Sequence, residues 1–324
     1  MKFISNFKKI ALVLFLSLGA IACNDDDDNV TIIETNTIAD FVSENPDYSS
    51  LNAALEAANL TSVLDGTTSY TVFAPNNAAF STFLTANGFA SLSDVPVDVL
   101  TQVLLNHVQA GVIKAADLTT GYIPSSAIGG ASSENLSLYI NTENGVRING
   151  VSSVTTADIE VDNGVIHAVD AVIGLPDITT FALADPTFEI LVLALTADSS
   201  FEFVSTLQTQ SSPAPFTVFA PTNQAFMDFL TEFSFADLAA IPSDVLGSVL
   251  SYHVVTGANV RSSDITDGMM VTTFEGGEFT INTGAGVTIT DENDRVSTVI
   301  ATDVQATNGV IHVIDTVLFP DLTD

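Results

Sequence analysis

Hydrophobic positions along the chain follow two rhythms that alternate. Stripes at helical spacing, such as Tyr48, Leu51, Leu55 and Ala58, or Phe188, Leu191, Val192 and Leu195, predict short amphipathic helices. Between them run β-favouring stretches, including Leu136 to Ile140, Phe279 to Ile281, and the apolar strands Asn163–Asp170 and Asn308–Asp315. One stretch joins the two rhythms. Thr71-Val72-Phe73 is a short β-favouring run, and Pro75 ends it because proline has no N–H for a ladder. Asn76 then offers a side-chain oxygen to the open N–H groups of a helix through Phe80. The expected unit is strand, sharp corner, helix.

That unit returns as Thr217-Val218-Phe219-Ala220-Pro221-Thr222-Asn223-Gln224-Ala225-Phe226, with Thr222 in place of the capping Asn76. A repeat of this length implies two domains, expected over residues 37–175 and 176–320. Other features repeat with it. Asn45-Pro46 and Asp185-Pro186 each stop one helix and start the next. A proline-started helix carries Leu100, Val103, Leu104 and His107 in the first copy, and Leu246, Val249, Leu250 and His253 in the second, with Gly111 and Gly257 expected to close it. Gly145 and Gly286 sit where hairpin turns should fall. Asn163-Gly164 and Asn308-Gly309 favour positive-φ turns, which predicts antiparallel pairing of the last two strands of each domain.

Spacing locates the difference between the copies. Pro46 and Pro186 are 140 residues apart and Phe73 and Phe219 are 146 apart, so the second copy carries six extra residues. They are expected in the polar, proline-bearing loop Gln208–Pro215. The linker between copies is only a few residues, and the domains are expected to touch.

Composition fits two ordinary cores: 324 residues, 47% hydrophobic and 14% charged. Charge is lopsided, with 39 acids against 7 bases and a net charge of −32. Such a surface repels nucleic acid. It is compatible with weak divalent-cation binding, although Asp291-Glu292-Asn293-Asp294 reads as a polar turn without the spacing of a calcium loop.

At the N-terminus, Lys2, Lys8 and Lys9 precede the apolar run Ile10–Ile21, and Ala20-Ile21-Ala22 leads into Cys23, the chain's one cysteine. This resembles a bacterial lipoprotein signal over residues 1–22, with Cys23 as the lipidated residue. It departs from the usual pattern at Ala20, where leucine is common. Residues 23–36 hold Asp25-Asp26-Asp27-Asp28, a solvated acidic tether. In Bacteroidetes-type lipoproteins, acids in this place resemble a signal for surface export, and a tether alone explains them equally well. The expected location is the outer membrane of the cell envelope, reached by export.

The Thr-Val-Phe-Ala-Pro-x-Asn-x-Ala-Phe box, the helical histidine and the closing Asn-Gly-Val-Ile-His strand occur twice in the same order. On these motifs the chain resembles two tandem fasciclin domains. The resemblance implies an α+β fold, with each domain a small β-sheet wedge or sandwich packed with a cluster of short helices. It further implies adhesion or binding to an extracellular matrix polymer or protein partner, without a cofactor. The family's Tyr-His pair, tied to adhesion in animal members, is kept as Tyr252-His253, whereas the first copy has Asn106-His107. Tyr252, His253 and His107 are therefore the candidate partner-contact residues.

All four histidines occupy repeat-related positions, His107 with His253 and His167 with His312. They lie on apolar faces, where an imidazole must be hydrogen-bonded, so anchoring of neighbouring backbone is the simplest role. No nucleophile elbow, zinc-protease motif or phosphate loop is present in the sequence, and no enzyme is expected. The alternatives to a binding module are a structural spacer in the envelope and, behind it, an enzyme acting on an envelope polymer.

Overall fold

The computed structural model describes residues 36–284 and 286–322. The leader, Cys23 and nearly all of the acidic tether lie outside them. In the first copy the helices α1 (Ile38–Glu44), α2 (Ser49–Ala57) and α3 (Thr61–Leu64) precede strand β1 (Tyr70–Pro75). Helices α4 (Asn77–Ala86) and α5 (Val97–Leu105) follow, then β2 (Val108–Ala110) and β3 (Gly121–Ile128). Strands β4 (Asn135–Asn141), β5 (Arg147–Ile148), β6 (Ser152–Val161) and β7 (Gly164–Val169) complete it.

The second copy repeats the order. It begins with α6 (Ile178–Ala184), α7 (Glu189–Leu195), α8 (Phe203–Leu207) and β8 (Phe216–Pro221). Next come α9 (Asn223–Glu232), α10 (Ser243–Tyr252), β9 (Val254–Thr256) and β10 (Met269–Thr272). It ends with β11 (Glu278–Asn282), β12 (Thr288–Thr290), β13 (Val296–Ala306) and β14 (Gly309–Ile314). Each copy has one seven-stranded sheet, ordered β2-β1-β7-β6-β5-β4-β3 and β9-β8-β14-β13-β12-β11-β10.

The repeated corner forms as its residues dictate. Asn76 Oδ1 accepts from Ala79 N at 2.9 Å and Thr222 Oγ1 accepts from Ala225 N at 3.1 Å, so each caps the helix after its proline. Strands β1 and β7 run parallel in the middle of the fold, with Phe73 opposite His167. Their side chains alternate between two layers. Val72, Ala74, Ile166 and Ala168 face the helices with Leu55, Leu100 and Val103. Phe73 and Val169 face the other leaf of the sheet, where Leu138, Ile140 and Ile148 wait. Two register shifts in β6 bend the sheet so that this leaf can fold over.

Two expectations need a different physical reason. Gly111 and Gly257 do not close helices; each follows a short strand, β2 or β9, that pairs with β1 or β8. The strand forms because the chain turns just after the histidine, and Phe73 N and Phe219 N bond to the carbonyls of His107 and His253. The Asn-Gly pairs do join antiparallel strands. Their asparagines, however, are absent from the positive-φ residues and are buried. Asn163 Nδ2 donates to Leu64 O and Gly66 O, and Oδ1 accepts from Ile38 N. Asn308 makes the same three bonds to Leu207, Thr209 and Ile178. Glycine follows because a Cβ there would lie 2.0 Å from Tyr70 O in the first copy and 2.3 Å from Phe216 O in the second. Of the six extra residues of the second copy only three fall between α8 and β8, where residues 208–215 replace 65–69. The other three lie between α7 and α8, because the offset between copies is already 143 at Leu64 and Leu207.

The two copies touch, as the short linker requires. Tyr122 on β3 packs edge-on against Phe181 of α6 at 5.6 Å and beside Tyr139 at 5.1 Å, and its hydroxyl donates to Asp185 Oδ2 at 2.8 Å. Burial and the Asp185 carboxylate keep that hydroxyl protonated well above the usual tyrosine range. Two further bonds complete the seam: Ala131 N donates to Thr307 O, and Gln305 N donates to the Ser137 hydroxyl oxygen, each at 3.0 Å. Arg261 forms an ion pair with Glu134 across it.

Two outcomes are expected from this packing. Asn163→Ala leaves three buried backbone groups unpaired and should lower stability by about 3 kcal/mol in chemical denaturation. Tyr122→Phe should cost ~1–2 kcal/mol and begin to separate the unfolding transitions of the two copies in calorimetry; an unchanged single transition at wild-type temperature would contradict it.

Candidate functional site

The four histidines form two kinds of backbone anchor. His107 lies just past α5, where Nδ1 donates to Val103 O at 2.7 Å and Nε2 accepts from Ile173 N at 2.8 Å. His253 repeats this with Val249 O at 2.7 Å and Leu318 N at 2.9 Å. The tautomer follows from these partners, since a carbonyl only accepts and an amide N–H only donates. One ring thus joins a helix end to the segment leaving the last strand, while its own carbonyl holds the Thr-Val-Phe strand. Burial pushes both imidazoles down to about 4, so they are neutral near pH 7 and carry no charge for catalysis or recognition.

The second pair sits in the parallel strands. His167 Nε2 donates to Ile113 O at 3.0 Å, and Nδ1 accepts from Asp158 N at 3.2 Å. His312 donates to Val260 O at 2.9 Å and stacks on Phe219 at 5.4 Å, while its Nδ1 is buried without a partner. Anchoring is what each ring does. Among the described residues, no group of three or more His, Cys, Asp or Glu side chains is placed to hold a metal ion.

Tyr252 marks the clearest local difference between copies. Its ring is 0% exposed, lies edge-on to Phe279 at 5.9 Å, and its hydroxyl donates to Glu278 O at 2.6 Å. Asn106 in the same place instead donates to Gly174 O at 2.9 Å. Direct partner contact by Tyr252, His253 and His107 meets a physical limit, because all three side chains are buried, at 0%, 3% and 2% exposure. The apolar neighbours that favour those helical positions also close them off from solvent. Whatever the Tyr-His pair contributes at the surface passes through the backbone it holds, Glu278 and Leu318.

A set of residues around that backbone was not legible as a site. Arg295 Nη1 donates to Val317 O at 2.7 Å, its guanidinium pairs with Glu232 at 2.7 Å and Asp291 at 3.3 Å, and it lies 5.5 Å over the Phe233 ring. Asp291, read from sequence as part of a polar turn, has a fully buried side chain that also accepts from Phe319 N at 3.0 Å. Together with His253 these groups fasten the exit segment Val317–Phe319. The signal available in the sequence was the rarity of bases: a lone arginine beside four polar turn residues in so acidic a chain needs a partner.

The fasciclin domain family matches residues 46–176 and again 186–320, and the chain belongs to that family. An uncharacterized protein of Synechocystis is 37% identical over 144 residues, covering 44% of this chain and 98% of that protein. A fasciclin-like arabinogalactan protein of Arthroderma benhamiae is 25% identical, covering 90% of this chain and 68% of that one. The pig transforming growth factor-beta-induced protein ig-h3 is 28% identical, over 80% of this chain and 36% of its own length. A solved FAS1 domain pair from the insect cell adhesion molecule fasciclin I aligns with a TM-score of 0.48 at 21% identity, covering 83% of this chain and 93% of that one. Fasciclin domains are typical of adhesion and matrix-binding proteins.

The histidine anchors predict a pH dependence. An unfolded chain protonates His107 and His253 near 6.5, whereas the folded chain resists until about 4. The unfolded state therefore binds more protons in between, so stability that is complete above about pH 6.5 is lost as pH falls toward 4, by ~3 kcal/mol for each ring. Urea midpoints between pH 7 and 4.5 should fall accordingly. His253→Gln should be less stable near pH 7 yet remove part of the slope, the rest staying with His107 and with His312, whose imidazole is also pushed down by burial. An undiminished slope would show that other groups carry it.

Proposed function

We propose that this chain is an exported, lipid-anchored protein of the cell envelope whose two fasciclin domains bind a matrix polymer or protein partner outside the cell. The observation that carries this reading is the family match of both halves. It is supported by the leader of Lys2, Lys8 and Lys9, the apolar run Ile10–Ile21, and Cys23 followed by four aspartates. In this reading Cys23 carries the lipid, residues 23–36 are the tether, and the domains over residues 37–175 and 176–320 stand clear of the membrane. Many anchored chains, each with two weak contacts, gain avidity through effective concentration rather than through one tight pocket. Tyr252, His253 and His107 act as positioning residues: they set the backbone at Glu278, Leu318 and Ile173 from which partner-facing loops extend. No catalytic step is assigned. The acidic surface takes up divalent cations weakly and non-specifically.

A second reading has its own observation. The seam of Tyr122, Phe181 and Asp185 joins the domains into one unit, which favours a stiff spacer without an adhesive ligand.

The experiment labels cells with a fatty-acid analogue and compares wild type with Cys23→Ser, then measures attachment to matrix polymers. Label on wild type only, with attachment lost in both the deletion strain and Cys23→Ser, is the expected result. Absence of label removes the anchor, and label with unchanged attachment leaves the spacer.

A further inference from the structure

We propose that the second domain contains a binding site for a small uncharged hydrocarbon group, about the size of a benzene ring. The site is a cavity of about 160 Å³ among α6, α7, α8 and β8, walled by Ala182, Leu183, Leu195, Leu207, Val218 and Leu250. The few polar side chains on its wall are already engaged. Thr179 Oγ1 donates to Asp177 Oδ1 at 2.8 Å, Thr196 Oγ1 donates to Val192 O at 2.9 Å, and both nitrogens of His253 are bonded to backbone. A water molecule needs two to four polar partners to settle in a buried space, and on this wall every side-chain donor is already used. A charged or strongly polar ligand would lose its hydration without replacement. The wall therefore selects for hydrocarbon, and an apolar cavity of ~150 Å³ is known to be large enough to stay dry and admit benzene.

The first copy keeps a hollow of only about 70 Å³ at the equivalent place, lined by Leu55, Leu64, Leu104 and Val108, so the larger volume is not a requirement of the fold. Helices α1 and α6 align at a constant offset of 140, which places Val42 where the second copy has Ala182. Val42 is 1% exposed and fills its space. At the edge, Ser43, Asn52 and Glu56 of the first copy are replaced by Leu183, Val192 and Thr196. Leu183 is 71% exposed, and Val204 beside the cavity is 36% exposed, so apolar surface runs from solvent to the interior. Loss of a packing group alone would explain the hollow. It would not explain why two edge positions, Ser43/Leu183 and Asn52/Val192, turned apolar at the same time in so acidic a chain. Hollow and rim together are what entry and retention of a hydrocarbon require.

The test uses the full chain without ligand. Thermal unfolding is followed with benzene, with n-hexane, with dihexanoylphosphatidylcholine below its micelle concentration, and with benzoate as the charged control. A second measurement records methyl NMR shifts at Leu195, Leu207 and Leu250 under xenon. Saturable stabilisation by benzene or n-hexane but not benzoate, with methyl shifts at those three leucines, is expected. A further response to the short-chain phospholipid identifies the end of an acyl chain as the source; its absence identifies a free hydrocarbon. Ala182→Val, which restores the first copy's residue, should weaken benzene binding about tenfold or more. Leu183→Ser should slow entry while leaving the xenon shifts in place. No stabilisation and no methyl shift in wild type, or equal binding by Ala182→Val, overturns the proposal.

Discussion

The fold depends on the parallel pairing of an early strand with the last strand of each domain, because that pair is covered on both sides. Phe73 opposite His167, and Phe219 opposite His312, lie where helices press on one face and the folded leaf of the sheet on the other. A strand pair in that position has no water for its polar groups, so each must be satisfied within the protein. The histidines answer this constraint. His107 and His253 take up an amide from the exit segment and give their carbonyl to the buried strand, and His167 and His312 take up the carbonyls of Ile113 and Val260. Four imidazoles in four repeat-related places thus follow from where unpaired backbone would otherwise be buried.

On this frame the two copies have drifted in different directions. The first fills its helical core with Val42 and keeps a polar helix surface, while the leaf of its sheet lends Tyr122 and Tyr139 to the seam. The second widens the hollow there from about 70 to about 160 Å³ and lengthens the segments before α8 and before β8. It also ties its exit segment more firmly, through Tyr252, Asp291 and Arg295. Tandem domains of one fold need not share one role, and here the second copy carries the greater part of the unusual chemistry. The acidic character surrounds both and keeps the surface solvated.

Much of this was legible before any coordinates. The proline corners, their Asn76 and Thr222 caps and the buried helical stripes follow from local rules about φ, hydrogen-bond donors and period. Only half of the six extra residues, however, lie in the loop where the proline-bearing segment placed them. The reading of Asn163 and Asn308 succeeded for a reason that local rules do not contain. Antiparallel pairing was expected from a turn preference, yet what the asparagines do is bind carbonyls and an amide about 100 to 125 residues away. The glycines beside them answer a carbonyl of another strand rather than a turn. Gly111 and Gly257 were misplaced for a similar cause: a helix ending at a histidine looks the same in sequence whether the chain stops or turns into a strand.

What the sequence by itself determined is the set of elements, their duplication and the family, because these rest on interactions between residues close in the chain and on motifs repeated in order. What only the tertiary structure decided is access and partnership. It put Tyr252, His253 and His107 out of reach of solvent, buried Asp291 beside Arg295, joined Tyr122 to Asp185 across the domains, and opened a space behind Ala182. Each of these depends on which distant segments pack together, and burial is a property of that packing rather than of any local pattern.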